Sequence, residues 1–112
     1  MILQRLNEYR LMWVLVLYDL PTDTKKERAA AAKFRKNIMA DGFTMFQFSI
    51  YVRNCASMEN AFVHINRVKS LLPDFGHVGI LCITDKQFGN IQLFYCKKEK
   101  SLYGSYQQLE LF

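Results

Sequence analysis

One carboxylate closes an unbroken apolar run. Leu11-Met-Trp-Val-Leu-Val-Leu-Tyr18 leads directly into Asp19-Leu20-Pro21. A carboxylate oxygen suits a hard divalent cation such as Mg²⁺, and an ion held there could activate water and neutralise charge on a phosphodiester under attack. A single carboxylate is a poor ion site, so this chemistry requires two-fold symmetry to bring two copies of Asp19 together. The competing reading is that Asp19 only starts a loop, as Asp commonly does before a turn.

The other polar candidates are fewer. Gln47 and Ser49 share one side of a later alternating segment, where they could approach a substrate or serve as ordinary interface residues. His64 falls between core positions of a helix and is expected to be exposed and structural, while His77 follows Gly76 at a strand start. Neither histidine has a partner at metal-ligand spacing, and no Ser/His or Cys/His pair, Walker loop or GxGxxG is present. Cations concentrate in Lys25, Lys26, Arg28, Lys33, Arg35 and Lys36, with a second group at Lys97, Lys98 and Lys100. Such a run suits contact with nucleic-acid phosphates and equally suits a plain solvated helix face.

The elements that must position these residues follow from pattern. An apolar run with no polar face reads as a strand over 11–19 buried on both sides. Thr24-Lys-Lys-Glu27 has capping-box spacing and opens a helix that runs to Ala40, with Ala30, Phe34 and Ile38 on its inner face. Asp41-Gly42 ends it. Residues 43–53 alternate as a strand: Thr44, Phe46, Phe48, Ile50 and Val52 point one way, and Phe43, Met45, Gln47, Ser49, Tyr51 and Arg53 the other. Eleven positions is long for one strand, so a bulge or a break into two is expected. Asn54-Cys-Ala-Ser57 turns the chain into a second helix with Ala61, Ile65, Val68 and Leu72 inward, stopping at Pro73. Residues 77–84 form another strand, and 107–112 a short terminal one.

The order is β-α-β-β-α-β with an extra C-terminal strand, an α+β chain of the ferredoxin-like plan, in which two helices cover one face of an antiparallel sheet. The second face then carries Phe43, Met45 and Tyr51 beside a strand that is apolar on both sides. A second copy is the economical cover, which predicts a homodimer packed sheet to sheet. The terminal strand, added to the partner's edge, would shield that edge.

Composition narrows the classes. The chain has 112 residues, 51% of them hydrophobic and 14% aromatic, which fits one folded domain over 1–112, with 1–10 as an N-terminal extension, and excludes a disordered chain. Cys55, Cys82 and Cys96 are odd in number and lack CxxC spacing, so buried, reduced thiols in a cytoplasmic protein are expected. No apolar stretch reaches membrane-spanning length and no secretory leader is evident. The net charge of +5 is compatible with a polyanionic partner.

Several blocks in order carry a family likeness: Tyr18-Asp19-Leu20-Pro21 before a basic helix, Gln47-Phe-Ser-Ile-Tyr-Val-Arg53, His64-Ile-Asn-Arg-Val-Lys69, and Thr84-Asp-Lys-Gln-Phe88. The sequence resembles the CRISPR-associated protein two family, in the branch that accompanies type II systems, from residue 12 to 88 and again at Leu109-Glu-Leu-Phe112. The resemblance implies a ferredoxin-like homodimer with an exchanged C-terminal strand, acting in spacer acquisition. In that role it bridges dimers of the partner integrase and holds incoming double-stranded DNA on basic surfaces. It also implies a Mg²⁺-dependent endonuclease on RNA or DNA, with Asp19 as catalytic metal ligand. Ser49 and Arg53 match the polar and basic positions of the strand-two block, so Gln47, Ser49 and Arg53 are expected substrate or interface contacts. Three readings compete. The first is a metal-dependent phosphodiesterase. The second is a non-catalytic DNA-binding scaffold, and the third an RNA-recognition module, whose fold shares the element order but whose signature would need a basic residue where Asp41 precedes Gly42-Phe43.

Overall fold

Alternation and helix caps determine the architecture directly. The computed structural model describes residues 11–94 and 96. β1 spans Met12–Asp19, α1 Lys25–Ala40, β2 Thr44–Gln47, β3 Ile50–Cys55, α2 Met58–Ser70, β4 His77–Thr84 and α3 Asp85–Gly89. The strands form one sheet in the order β2-β3-β1-β4, with every neighbouring pair antiparallel. With both longer helices on one face, this is the α+β ferredoxin-like fold. The terminal strand over 107–112, the extension over 1–10 and the cations Lys97, Lys98 and Lys100 lie outside the described residues.

Local chemistry sets the helix starts. Thr24 accepts from the Glu27 backbone N–H at 3.1 Å while the Glu27 carboxylate accepts from Thr24 N–H at 2.9 Å, the reciprocal box the spacing predicts. Ser57 caps α2 through Asn60 N–H at 3.0 Å. Thr84 and Gln87 form a second reciprocal box that opens α3. α2 stops at Ser70, ahead of Pro73, because Pro disfavours helical geometry in the residues before it; Leu72 is therefore outside the helix and exposed rather than inward.

The core lies between the sheet and the two longer helices. Met12, Val14 and Val16 of β1 meet Phe34 and Ile38 of α1, Ala61 and Val68 of α2, and Phe43, Tyr51 and Cys55. Burying an aliphatic or aromatic side chain of this size stabilises a fold by about 1.5–3 kcal/mol. The long alternating segment breaks at Phe48-Ser49, as expected, and its register shifts between Met45 and Gln47.

Two expectations about faces need correction. Phe43, Met45 and Tyr51 point at the helices, not at the open face. Val16, wholly buried beneath the helices, pairs with Tyr51, and directly opposed residues of an antiparallel pair share a face. The open face instead carries Trp13, Leu15, Leu17, Ile50, Val52 and Leu81. His64 is likewise 4% exposed rather than solvated. The cysteines differ from one another: Cys55 is buried, Cys82 half-buried and Cys96 exposed, and all three are free thiols.

α3 folds over one end of the open face. Phe88 stacks on Trp13 with ring centroids 4.0 Å apart and lies 5.6 Å from Phe46. Trp13 Nε1–H also donates to Asp85 at 2.7 Å. Leu17, Phe48, Leu81, Leu93 and Phe94 stay exposed.

Candidate active site at the end of the first strand

Asp19 is the last residue of β1 and sits on the open face, because Tyr18 before it packs toward the helices. Its carboxylate is exposed and makes no hydrogen bond or ion pair among the described residues. Tyr18 N–H donates to the Ser49 carbonyl at 3.0 Å, so the turn between β2 and β3 ties down the strand just before Asp19. Across β4, Asp19 pairs with His77.

Beneath the helices the strand end is fixed by aromatic packing. Tyr18 stacks on Tyr51 at 5.9 Å and meets the edge of Phe34 at 5.4 Å. Arg35 Nε–H donates to the Tyr51 hydroxyl at 2.8 Å. Burial, and then the neighbouring Tyr51 phenol, push the Tyr18 hydroxyl up to about 12, so it stays neutral under ordinary conditions.

The remaining strand-two residues separate. Gln47 pairs with Ile50, which pairs with Leu17, so Gln47 shares the open face with Asp19. The register shift at Phe46 put it there. Ser49 occupies the turn with φ 64, and its backbone carbonyl is the group it offers to β1. Arg53 is elsewhere. It pairs with Val14, which places it about 17 Å along the sheet from Asp19 at 3.3 Å per residue. There its Nε–H donates to the Asp41 carbonyl at 2.8 Å and Nη1–H to the Asn54 carbonyl at 2.9 Å.

That far end holds a cluster the sequence reading missed. Both oxygens of the Asp41 carboxylate are engaged, one with His64 Nδ1 at 2.8 Å and the other with Arg67 Nη1 at 2.9 Å. Burial pushes the Asp41 carboxyl up. The hydrogen bonds and charges of His64 and Arg67 outweigh it and hold the group below its ordinary value. Helical spacing could have found His64, since it stands three residues after Ala61 and four before Val68, on the buried stripe.

The cations of α1 divide by employment. Arg28 donates to the Thr22 and Asp23 carbonyls at 3.0 and 3.2 Å, Arg35 is held by Tyr51, and Lys26 lies 6.0 Å from the Phe75 ring centre. Lys25, Lys33 and Lys36 are exposed and have no polar contact among the described residues.

An exposed, unpaired carboxylate is an appropriate donor for a hard cation. Among the described residues no group of three or more His, Cys, Asp or Glu could hold an ion, so one chain supplies only part of a coordination shell. No helix there is long and apolar enough to cross a membrane.

Comparison with known proteins bears on the family and the fold. The family model for CRISPR associated protein Cas2 matches residues 12–91. The chain is 57% identical over 108 residues to the CRISPR-associated endoribonuclease Cas2 of Flavobacterium psychrophilum, covering 96% of this chain and 94% of the relative. It is 52% identical over 101 residues to the protein of the same name from Parvibaculum lavamentivorans, covering 90% of this chain and 100% of the relative. A solved structure described as the crystal structure of cas2 superposes with a TM-score of 0.55 at 20% identity, over 81% of this chain and 92% of that one, which supports the fold. With its fold and these similarities taken together, the chain belongs to the Cas2 family of CRISPR-associated proteins.

Proposed function

We propose that this chain is a metal-dependent endonuclease of CRISPR adaptation that hydrolyses phosphodiester bonds, with RNA, the substrate class in its relatives' names, favoured over DNA. The observation that carries this is the Asp19 carboxylate, exposed, without a partner, and fixed by its backbone at the end of the central strand. A second copy packing on Leu17 and Leu81 of the open face would bring a second Asp19 close. The two carboxylates would then hold one divalent cation, Mg²⁺ in the simplest case, which when bound supplies an activated water and charge neutralisation at the phosphate. Exchange of the C-terminal strand between the two copies would reinforce that dimer and protect its sheet edges. The cytoplasm is the expected setting.

The chain's own residues do the remaining work. Asp19 fixes where the scissile phosphate must sit. Gln47, on the same face, can donate or accept at the sugar or the phosphate. Lys25, Lys33 and Lys36 follow the Asp19 loop on α1 and are free to bind backbone phosphates without reading bases. In this account Arg53 is structural, since its guanidinium holds the end of α1.

The test is cleavage of labelled single- and double-stranded RNA and DNA by wild type and Asp19→Asn, each with Mg²⁺ or EDTA. Loss of cleavage in both the mutant and EDTA supports the proposal; cleavage that persists in Asp19→Asn sinks it. A second reading, a DNA-holding scaffold between integrase dimers, is favoured by the unengaged lysines of α1. It predicts salt-sensitive duplex binding that survives Asp19→Asn.

A further inference from the structure

Between α1 and the chain that leaves α2 lies a cleft of about 330 Å³. Lys33, Phe34 and Asn37 share one face of α1 by their helical spacing and form its first wall. Leu71, Pro73 and Asp74 form the second. The helix stop makes this wall: α2 ends at Ser70 ahead of Pro73, and Leu71 N–H closes the last turn on the Val68 carbonyl at 2.9 Å. Both helices cover the sheet face opposite to Asp19, so the cleft is separate from the candidate active site.

Its floor is apolar and its polar groups are uncommitted. Phe34 is buried at the base, with Leu71 and Pro73 beside it, a surface suited to the flat face of a small ring system. Asn37 is half-buried, yet its side-chain amide has no hydrogen bond among the described residues. Lys33 and Asp74 are exposed on opposite walls, and neither forms an ion pair among those residues. Lys36 stands about one turn beyond Lys33 on α1, also exposed and without polar contact there. A carboxylate, an amide and an ammonium therefore surround an apolar floor.

We propose that this cleft takes an unpaired guanine of a nucleic-acid strand whose phosphates lie along Lys33 and Lys36. This rests on the nucleic-acid reading above and gives it a base preference. A carboxylate has two acceptor oxygens and no donor. Guanine sets two donors side by side to meet them, N1–H and the N2 amino group, while its O6 and N7 accept from the Asn37 amide. Adenine, cytosine, uracil and thymine each place an acceptor next to the donor on that edge, and a carboxylate repels it. A single strand can splay a base out into such a site; a base within a duplex cannot reach it. Asp74 also repels phosphate, so the strand passes on the α1 side and its base points across the cleft.

The experiment follows the binding of labelled single strands to the full chain by fluorescence anisotropy, in EDTA so that nothing is cut. An otherwise all-pyrimidine strand carries guanine, inosine or adenine at its centre; inosine is guanine's counterpart without the N2 amino group. Wild type, Asp74→Asn and Asn37→Ala are compared, and the readout is the ratio of affinities, because removing a negative charge strengthens binding of any strand. The inference expects guanine to bind roughly tenfold tighter than adenine, inosine to fall between, and the ratio to drop to about twofold or less in either variant. Equal affinity for guanine and adenine strands in the wild type overturns it, whatever the stability of the variants, and leaves the sequence-independent binding by α1 intact. A ratio unchanged in Asp74→Asn overturns it too. Guanosine monophosphate that binds as tightly as the guanine strand overturns the assignment to a strand and makes the free nucleotide the ligand. Absence of binding to every strand removes the nucleic-acid reading as well.

Discussion

Two aspartates stand at opposite ends of this sheet, and they are used in opposite ways. Asp41 is mostly shielded, spends both carboxylate oxygens on His64 and Arg67, and lends its carbonyl to Arg53. Asp19 is exposed and bonds to nothing among the described residues except through its backbone. A carboxylate whose lone pairs are satisfied within the fold contributes to stability and has little left for a ligand. One that is held by its backbone alone contributes little to stability and remains available. Position at a strand or helix end is common to both; the difference lies in what surrounds the oxygens.

The sharpest way to break the comparison is to remove Asp41. Asp41→Ala leaves His64 buried without its acceptor and should cost about 2–4 kcal/mol in denaturant unfolding. Metal-dependent cleavage per folded molecule should not change. A loss of less than about 0.5 kcal/mol would show that the cluster is not the fastening it is argued to be.

Gly76→Ala comes next. The added Cβ meets the Asp19 carbonyl and Leu20 in a backbone conformation unfavourable to L residues, so unfolding free energy should fall by roughly 1–3 kcal/mol. Gly79→Ala is the control: at Gly79 an added Cβ would make only ordinary contact, 3.7 Å from the Leu17 carbonyl. Equal losses in the two variants would contradict the close approach at Asp19.

On α1 the distinction between engaged and free cations can be sharpened by salt titration. Replacing Lys25, Lys33 and Lys36 together by Ala should lower the slope of log affinity against log salt for duplex DNA by roughly 3. Unfolding should be nearly unaffected. Arg28→Ala, whose guanidinium holds the Thr22 and Asp23 carbonyls, should instead show its effect in stability.

The smallest expected effect is on the acid limb of stability. The Asp41 carboxyl lies below its ordinary 3.8 in the folded state, so the unfolded chain takes up this proton first as pH falls. The stabilisation from this group is therefore complete well above pH 3.8 and is lost as pH falls through the folded value. Asp41→Asn should remove this part of the acid dependence while Asp19→Asn leaves it in place, as unfolding curves between pH 6 and 2 would reveal.

Much of the fold is written in local signals. The capping box at Thr24 and Glu27, the cap at Ser57, the Asp41-Gly42 stop and the apolar run into Asp19 each act over a few residues and were legible without a structure. Face assignment was not. Alternation in residues 43–53 says which side chains go together but not which set the helices cover; the pairing of Tyr51 with Val16 decides that, and pairing is a long-range property. The same limit moved Arg53 to the far end. α3 is a different case. Thr84-Asp-Lys-Gln87 carries the same capping spacing as Thr24 and could have been read as a helix start.

The central claim, that function and stability are assigned to different aspartates, is tested most directly by comparing Asp19→Asn and Asp41→Asn in one experiment. Mg²⁺-dependent and Mn²⁺-dependent cleavage of labelled RNA and DNA is measured beside thermal unfolding for each variant. The account predicts that Asp19→Asn keeps the wild-type unfolding temperature and loses cleavage at least about a hundredfold, a difference of roughly 2.7 kcal/mol in barrier. Asp41→Asn should unfold at lower temperature and cleave normally while folded. Metal-dependent cleavage that survives in Asp19→Asn, or is lost in a fully folded Asp41→Asn, would contradict it.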